Sequence, residues 1–357
     1  MNIMIKPVSG RCNTDCGYCF YKEGHVCGSH MSQETITAVI DCLSVFLRGG
    51  YPLVFQGGEP LLAGHGYFKY VLEYLEARGL NLPVMVQTNG TLLDDEFARM
   101  FSRHDVLVGV SLDGTEAVHT IHRRDFRGVM RGIDCLRRHG CRFNILTVIT
   151  DELCGRLGEV YEFYRREGFE YQQYIPCMAP PGKNPYLYLS QESYGRYLGE
   201  LYGLWREDLN RGRYVYIRYF ENLLQLLAGF MPEECGAGGV CSMQFLVESD
   251  GSVYPCDFFV DECHRLGSLC LDDGEKIRRR LSASDFISSS WPLPDICRQC
   301  GCLDFCRGGC RRYRDESGAY LYCRAVKPFL TQALPDMKAL LKSVTPASAA
   351  YRQSENR

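Results

Sequence analysis

Six short apolar runs, with stretches of helical length between them, fill the first half of the chain and leave few folds open to it. IMIKPV (3–8), LVFQ (53–56), VMVQTN (84–89), VLVGVSL (106–112), FNILTVI (143–149) and YQQYIP (171–176) read as strands. The amphipathic segments 32–48, 66–78, 94–104, 127–139 and 151–167 lie between or after them and space their apolar residues as helices do. Parallel neighbours need crossover connections of about this size, so the alternation predicts βαβ units and a parallel sheet. Six units make an open or partial (β/α)6 barrel, whose chemistry belongs at the C-terminal ends of its strands.

The pattern breaks at APPGKNPY, rich in Pro and Gly, and resumes as helices at 191–210 and 219–229. From Cys235 the chain is loop-rich and cysteine-rich, and QFLVESDGSVYPC reads as a hairpin turning at Asp250–Gly251. The expected organisation is a partial barrel over 1–180, a helical bridge over 181–230, a small cysteine-rich α+β iron–sulfur domain over 231–330, and a C-terminal helix and tail over 331–357. The last residues, SVTPASAAYRQSENR, read as frayed.

A net charge of −3 gives no reason to expect nucleic acid or an anionic membrane surface as partner. No window approaches the ~20 apolar residues of a membrane span. The first residues, MNIMIKPVSGRCN, turn polar too soon for a secretory signal, so a cytoplasmic protein is expected. Cysteine is the outlier, with 20 residues, most of them separated from a neighbouring cysteine by gaps of no more than five residues. In a chain of 357 residues with no export signal, that grouping points to metal or iron–sulfur ligation rather than a disulfide framework.

The clearest group is CNTDCGYC, in which Cys12, Cys16 and Cys19 follow the first strand. Three thiolates on one loop hold three irons of a [4Fe–4S] cluster and leave the fourth open to a ligand. A zinc site completed by Cys27 or His25 satisfies the same motif. The loop resembles the signature of the radical S-adenosylmethionine (SAM) superfamily, C-x3-C-x-aromatic-C, with Tyr18 at the aromatic position. FQGGEPLL, QTNGTLL and GVSLDG follow in the order that superfamily keeps. The resemblance implies that Gly57, Gly58 and Glu59 meet the SAM amino group, Ser111 the ribose, and Arg123 the carboxylate.

Downstream, Cys235, Cys241, Cys256, Cys297, Cys300, Cys306, Cys310 and Cys323 supply eight thiols, enough for two further four-iron clusters. A pair of zinc ribbons is the competing reading of the C-x2-C piece. The spacing resembles the twin-cluster SPASM extension of peptide-modifying radical SAM enzymes. That resemblance implies an interleaved ligand set: Cys235, Cys241, Cys256 and Cys310 for one cluster, Cys297, Cys300, Cys306 and Cys323 for the other. Cys302 lies inside that pattern. Cys27, Cys42, Cys135, Cys141, Cys154, Cys177, Cys263 and Cys270 read as small hydrophobes or idle thiols.

IKPVSGRCNTDCGYCFY, YIPC, GSVYPCDFFV and CRQC-x5-CRGGCRR together resemble the anaerobic sulfatase-maturating enzymes over nearly the whole chain. Such enzymes oxidise a Cys or Ser of a sulfatase to Cα-formylglycine by way of a 5′-deoxyadenosyl radical. The resemblance implies three [4Fe–4S] clusters, SAM, and a low-potential donor such as flavodoxin or ferredoxin. The substrate would be an unfolded or nascent sulfatase bearing C/S-x-P-x-R. Asp257, directly after Cys256, would be the base; from its surroundings in sequence alone it reads equally as a structural carboxylate held by backbone N–H groups. Tyr21 and Gln56 match positions near the substrate, and Met178 one near SAM. The alternative is another SPASM-type modifier, forming thioether crosslinks or epimerising a small precursor. An early first strand, with no room for a leader-binding domain, favours the maturase.

Overall fold

The computed structural model describes residues 2–22, 30–179 and 183–354, with side chains, apart from that of Lys22, to 342. Cys27 and His25 lie outside the described residues. The expected six strands form: β1 (Asn2–Ile5), β2 (Leu53–Phe55), β3 (Val84–Thr88), β4 (Leu107–Ser111), β5 (Phe143–Ile149) and β6 (Tyr171–Pro176). They pair in parallel in chain order, with helices on the connections, as a (β/α)6 partial barrel. β1 ends at Ile5 rather than Val8, since Pro7 has no N–H to give to a ladder.

Helix starts follow side-chain caps. Ser32, Asp94, Thr150 and Ser190 each accept a backbone N–H at the head of the helix that follows. The helix expected over 151–167 is two, Asp151–Cys154 and Leu157–Glu167, broken at Gly155, a poor helix former. A short helix, Glu116–His122, lacks the length for a periodic signal and was not expected. At the other end, Cys323–Ser354 is a single helix that runs through the stretch expected to fray. Ala347, Ala349 and Ala350 supply helix propensity there.

The sheet does not stop at six strands. β7 (Tyr216–Ile217) adds in parallel beside β6. On the other edge β8 (Gln244–Val247) adds in parallel beside β1, with Ile3 opposite Phe245 and Ile5 opposite Val247. β9 (Ser252–Tyr254) returns antiparallel from β8, and β10 (Gly267–Ser268) follows it. The expected hairpin is therefore present, with Gly251 at φ +81° in its turn. The cysteine-rich segment thus grows from the edge of the barrel sheet, next to its first strand. Ile3, Ile5, Phe55, Val108, Ile145 and Phe245 are among the fully buried side chains of the shared core. No helix among the described residues is long and apolar enough to cross a membrane.

Candidate functional site

Residues from beyond the ends of β1 to β4 converge on the cysteine loop. The chain leaves β1 through Ser9, at φ +49°, and the loop beyond it is stitched to the Gly57–Gly58 turn after β2. The Gly58 N–H donates to Ser9 O and the Glu59 N–H to Arg11 O, both at 2.8 Å. A Cβ on Gly58 would lie 2.0 Å from Arg11 O, and one on Gly57, at φ +119°, would lie 2.6 Å from Ser9 O. Only glycine permits this approach.

Glu59, read from sequence as a ligand contact, is fully buried and turned inward. Its Oε1 accepts from Thr88 Oγ1 (2.7 Å) and the Leu61 N–H (3.0 Å), and its Oε2 from the Asn89 N–H (2.7 Å). Burial pushes the carboxyl up to about 7, against those three bonds, which pull it down. It fastens the turn after β2 to the end of β3.

Within the loop, Thr14 Oγ1 lies 3.2 Å from Cys12 Sγ and 3.7 Å from Cys16 Sγ, and the Cys19 N–H donates to Cys16 O at 3.2 Å. Asn89 Nδ2 reaches the same loop, donating to Asn13 Oδ1 at 2.8 Å. Arg123, the residue after the helix Glu116–His122, gives Nε to Asp113 Oδ2 at 2.8 Å and turns Nη1 to 3.9 Å from Cys16 Sγ. Tyr18 donates its hydroxyl to the same Asp113 oxygen, and Val148 N–H donates to the other at 2.9 Å. Burial lifts the Tyr18 phenol well above its usual range. Ser111 is buried at the end of β4, and Met178 is half-buried just beyond β6.

Asp257 sits past the end of β9, where Pro255 has stopped the strand. Its Oδ2 accepts from the Tyr21 hydroxyl and from Gln56 Nε2 (3.2 Å), so the residues matched to substrate and base positions meet at one oxygen. Its Oδ1 lies 2.7 Å from the ammonium of Lys6, which also reaches Glu248 at 2.9 Å. Lys6 is wholly buried. Burial draws its pKa down, but the two carboxylates more than offset that, and the net direction is up.

The remaining thiols fall into two groups. Burial pushes Cys256 up to about 12, with Asp257, Cys310 and Cys235 adding to it. Cys310 rises to about 11, through burial and then the charges of Cys235 and Cys241. Cys306 also rises to about 11, through burial and then Cys323, Cys297 and Cys300. Each thiol therefore feels the partners the interleaved pattern assigns to it. Cys302 faces the C-terminal helix, 3.7 Å from Thr331 Oγ1. Among the described residues no three His, Cys, Asp or Glu side chains converge tightly enough for a single metal ion. An iron–sulfur cluster takes its thiolates on separate irons, and an all-thiol donor set in groups of three, four and four would fit such clusters.

Lys6, Glu248, Asn89 and Asp113 were not singled out from sequence. A lysine inside the apolar run IMIKPV was the one available signal for the first, and the carboxylate of SLDG for the last.

Comparison with known proteins agrees with this layout. Residues 7–163 match the radical SAM superfamily model, and 235–301 an iron–sulfur cluster-binding domain. The chain is 34% identical to a cysteine-type anaerobic sulfatase-maturating enzyme of Clostridium perfringens, covering 94% of this chain and 96% of that one. Against a serine-type anaerobic sulfatase-maturating enzyme of Klebsiella aerogenes the identity is 30%, over 94% and 86%. The fold superposes on native anSMEcpe with bound AdoMet and Cp18Cys peptide at a TM-score of 0.90 and 33% identity, covering 96% of this chain and 99% of that one.

Proposed function

The chain belongs to the anaerobic sulfatase-maturating enzymes of the radical SAM superfamily, and from that premise we propose that it oxidises a Cys or Ser of a sulfatase chain to Cα-formylglycine, with Asp257 as the base. The observation that carries the reading is the meeting of Tyr21, Gln56 and Asp257 at one carboxylate oxygen, beside Cys256 and its thiol group.

The cysteine loop, Cys12, Cys16 and Cys19, would hold the cluster that binds SAM, and the two groups of four would hold auxiliary clusters, three [4Fe–4S] clusters in all. Gly57, Gly58 and Glu59 would meet the SAM amino group, and Glu59 also holds their turn in place. Ser111 would meet the ribose, Arg123 the carboxylate, and Met178, beyond β6, a further part of SAM. When bound, these groups supply the deoxyadenosyl radical that removes a Cβ hydrogen and an acceptor for the electron left behind. The protein's own part is then to bind and orient the target side chain through Tyr21 and Gln56 and to take its thiol or hydroxyl proton at Asp257 Oδ2. Accepting a proton there calls for a carboxylate within hydrogen-bond reach of the target, which Asp257 would provide.

The same reading divides the chain into a barrel (1–180), a bridge (181–230), a twin-cluster unit (231–330) and a C-terminal helix. Its substrate would be an unfolded sulfatase segment with C/S-x-P-x-R, its reductant a flavodoxin or ferredoxin, and its compartment the reducing cytoplasm, which keeps a chain of 20 cysteines from forming disulfides.

Anaerobic reconstitution with iron and sulfide, then SAM, reductant and a C/S-x-P-x-R peptide, should give an aldehyde by mass spectrometry. Asp257→Asn should retain iron and SAM binding and lose most of the aldehyde. Abundant 5′-deoxyadenosine with an unchanged peptide would sink the maturase reading.

A further inference from the structure

A wholly buried lysine is rare, because its charge is costly to desolvate unless it is paired. Lys6 is paired twice, with Glu248 at 2.9 Å and Asp257 at 2.7 Å, and its ammonium lies 4.5 Å over the Tyr21 ring. The sheet dictates this placement. β1 and β8 run in parallel with Ile5 opposite Val247, and the next backbone bond, Lys6 N–H to Val247 O at 2.9 Å, carries the register one step further. Lys6 and Glu248 are thereby neighbours, although 242 positions separate them.

The connection to Asp257 does not follow from register. Asp257 stands in a turn past the end of β9, where a carboxylate has freedom about two side-chain torsions. Its three polar partners divide between its two oxygens. Tyr21, in the short turn Phe20–Lys22, and Gln56 hydrogen-bond to Oδ2, and Lys6 pairs with Oδ1 by charge rather than by an aligned hydrogen bond. Tyr21 and Gln56 are also the side chains that would meet the peptide, so their bonds to Oδ2 have to be given up or shared when the target arrives. Lys6 lies behind the carboxylate, sealed from solvent, and its partner oxygen is not the one facing them.

We propose that Lys6 is the positioning residue for the base: by holding Oδ1 it fixes the plane of the Asp257 carboxylate and leaves Oδ2 aimed at the target side chain. The inference rests on the reading of Asp257 as base. A simpler role exists for Lys6, as a strut joining β1 to β8 through Glu248 alone, and the test separates the two. The step concerned is one proton moving from the target thiol or hydroxyl to Oδ2. Removal of hydrogen from Cβ precedes it and does not use Lys6.

The experiment uses the reconstituted full-length enzyme, SAM, reductant and a target peptide deuterated at Cβ. Deuterium in 5′-deoxyadenosine reports hydrogen abstraction, and aldehyde per labelled 5′-deoxyadenosine reports its coupling to product. Lys6→Met should keep iron content, SAM affinity and deuterium transfer within about twofold of wild type and lower the coupling by about tenfold or more. Glu248→Gln, which keeps an acceptor for the strut, should leave the coupling within about twofold. Unchanged coupling in Lys6→Met, or an equal loss in Glu248→Gln, overturns the proposal. If Lys6→Met does not fold, Lys6→Gln is read by the same criteria. Failure of both to fold while Glu248→Gln folds counts against it, because Lys6 then serves the fold first. A wild-type enzyme that makes no aldehyde refutes the proposed function instead, and wild-type aldehyde with unaltered Lys6→Met coupling refutes the positioning role alone.

Discussion

Arg123 gives its Nε to Asp113 at 2.8 Å while its Nη1 points at the cysteine loop, 3.9 Å from Cys16 Sγ. The ion pair is largely buried, so the guanidinium is oriented by Asp113 rather than by solvent. If Arg123 meets the SAM carboxylate, Asp113→Asn should weaken SAM binding about tenfold, or roughly 1.4 kcal/mol. Decarboxylated SAM should bind both proteins alike. Equal weakening of both ligands in equilibrium dialysis would mean that Asp113 supports the site in some other way.

A pH dependence follows from Glu59. Its carboxyl is raised from 4.5 to about 7 by burial, so the folded chain holds a proton there that the unfolded chain releases. A raised folded value makes this contribution to stability complete below 4.5 and lost as pH rises through about 7. Other carboxylates act in the opposite sense, so the readout is a difference. At pH 5 Glu59→Gln should be less stable by about 1–3 kcal/mol, because an amide keeps only one of the two oxygens that accept from Thr88, Leu61 and Asn89. The gap in melting temperature between the metal-free proteins should narrow from pH 5 to pH 7; a constant gap would contradict the assigned shift.

Gly58 tests the stitching of the two loops. A Cβ added at Gly58 would stand only 2.0 Å from Arg11 O, so Gly58→Ala has to push the cysteine loop away from the turn after β2. The auxiliary thiols are on other segments and should be untouched. Iron per chain should fall by about a third and SAM should no longer alter the electron paramagnetic resonance signal. A variant with full iron and a normal SAM response would show that the loop can yield without cost.

The barrel was legible because its information is local. Each strand and most helices carry their own periodicity, and Ser32, Asp94 and Ser190 mark helix starts in the sequence itself. The grouping of the cysteines was legible for the same reason, whereas the division of the later eight into two sites came only from the family resemblance. Lys6 was not, because its meaning depends on β8 pairing with β1, a contact between residues 242 positions apart that no short window contains. Glu59 illustrates a different limit. Its motif was visible, but the bonds its carboxylate accepts from Thr88 and Asn89 are set by the packing of β2 against β3. Asp113 was hidden by the brevity of the helix Glu116–His122, without which Arg123 has no fixed direction.

Interleaved ligation makes the last prediction. Cys306 and Cys310 are four positions apart, yet Cys310 feels Cys235 and Cys241 whereas Cys306 feels Cys323, Cys297 and Cys300. If the groups are cluster sites, proximity in sequence and membership of a site are different things, and iron content can tell them apart. Cys256→Ala with Cys310→Ala removes two ligands from one site, so the double variant should lose no more iron than either single change, about four atoms. Cys306→Ala with Cys310→Ala removes one ligand from each of two sites and should lose about eight. The reverse ranking, with the neighbouring pair costing only one cluster, would mean that ligation follows the chain and not the fold.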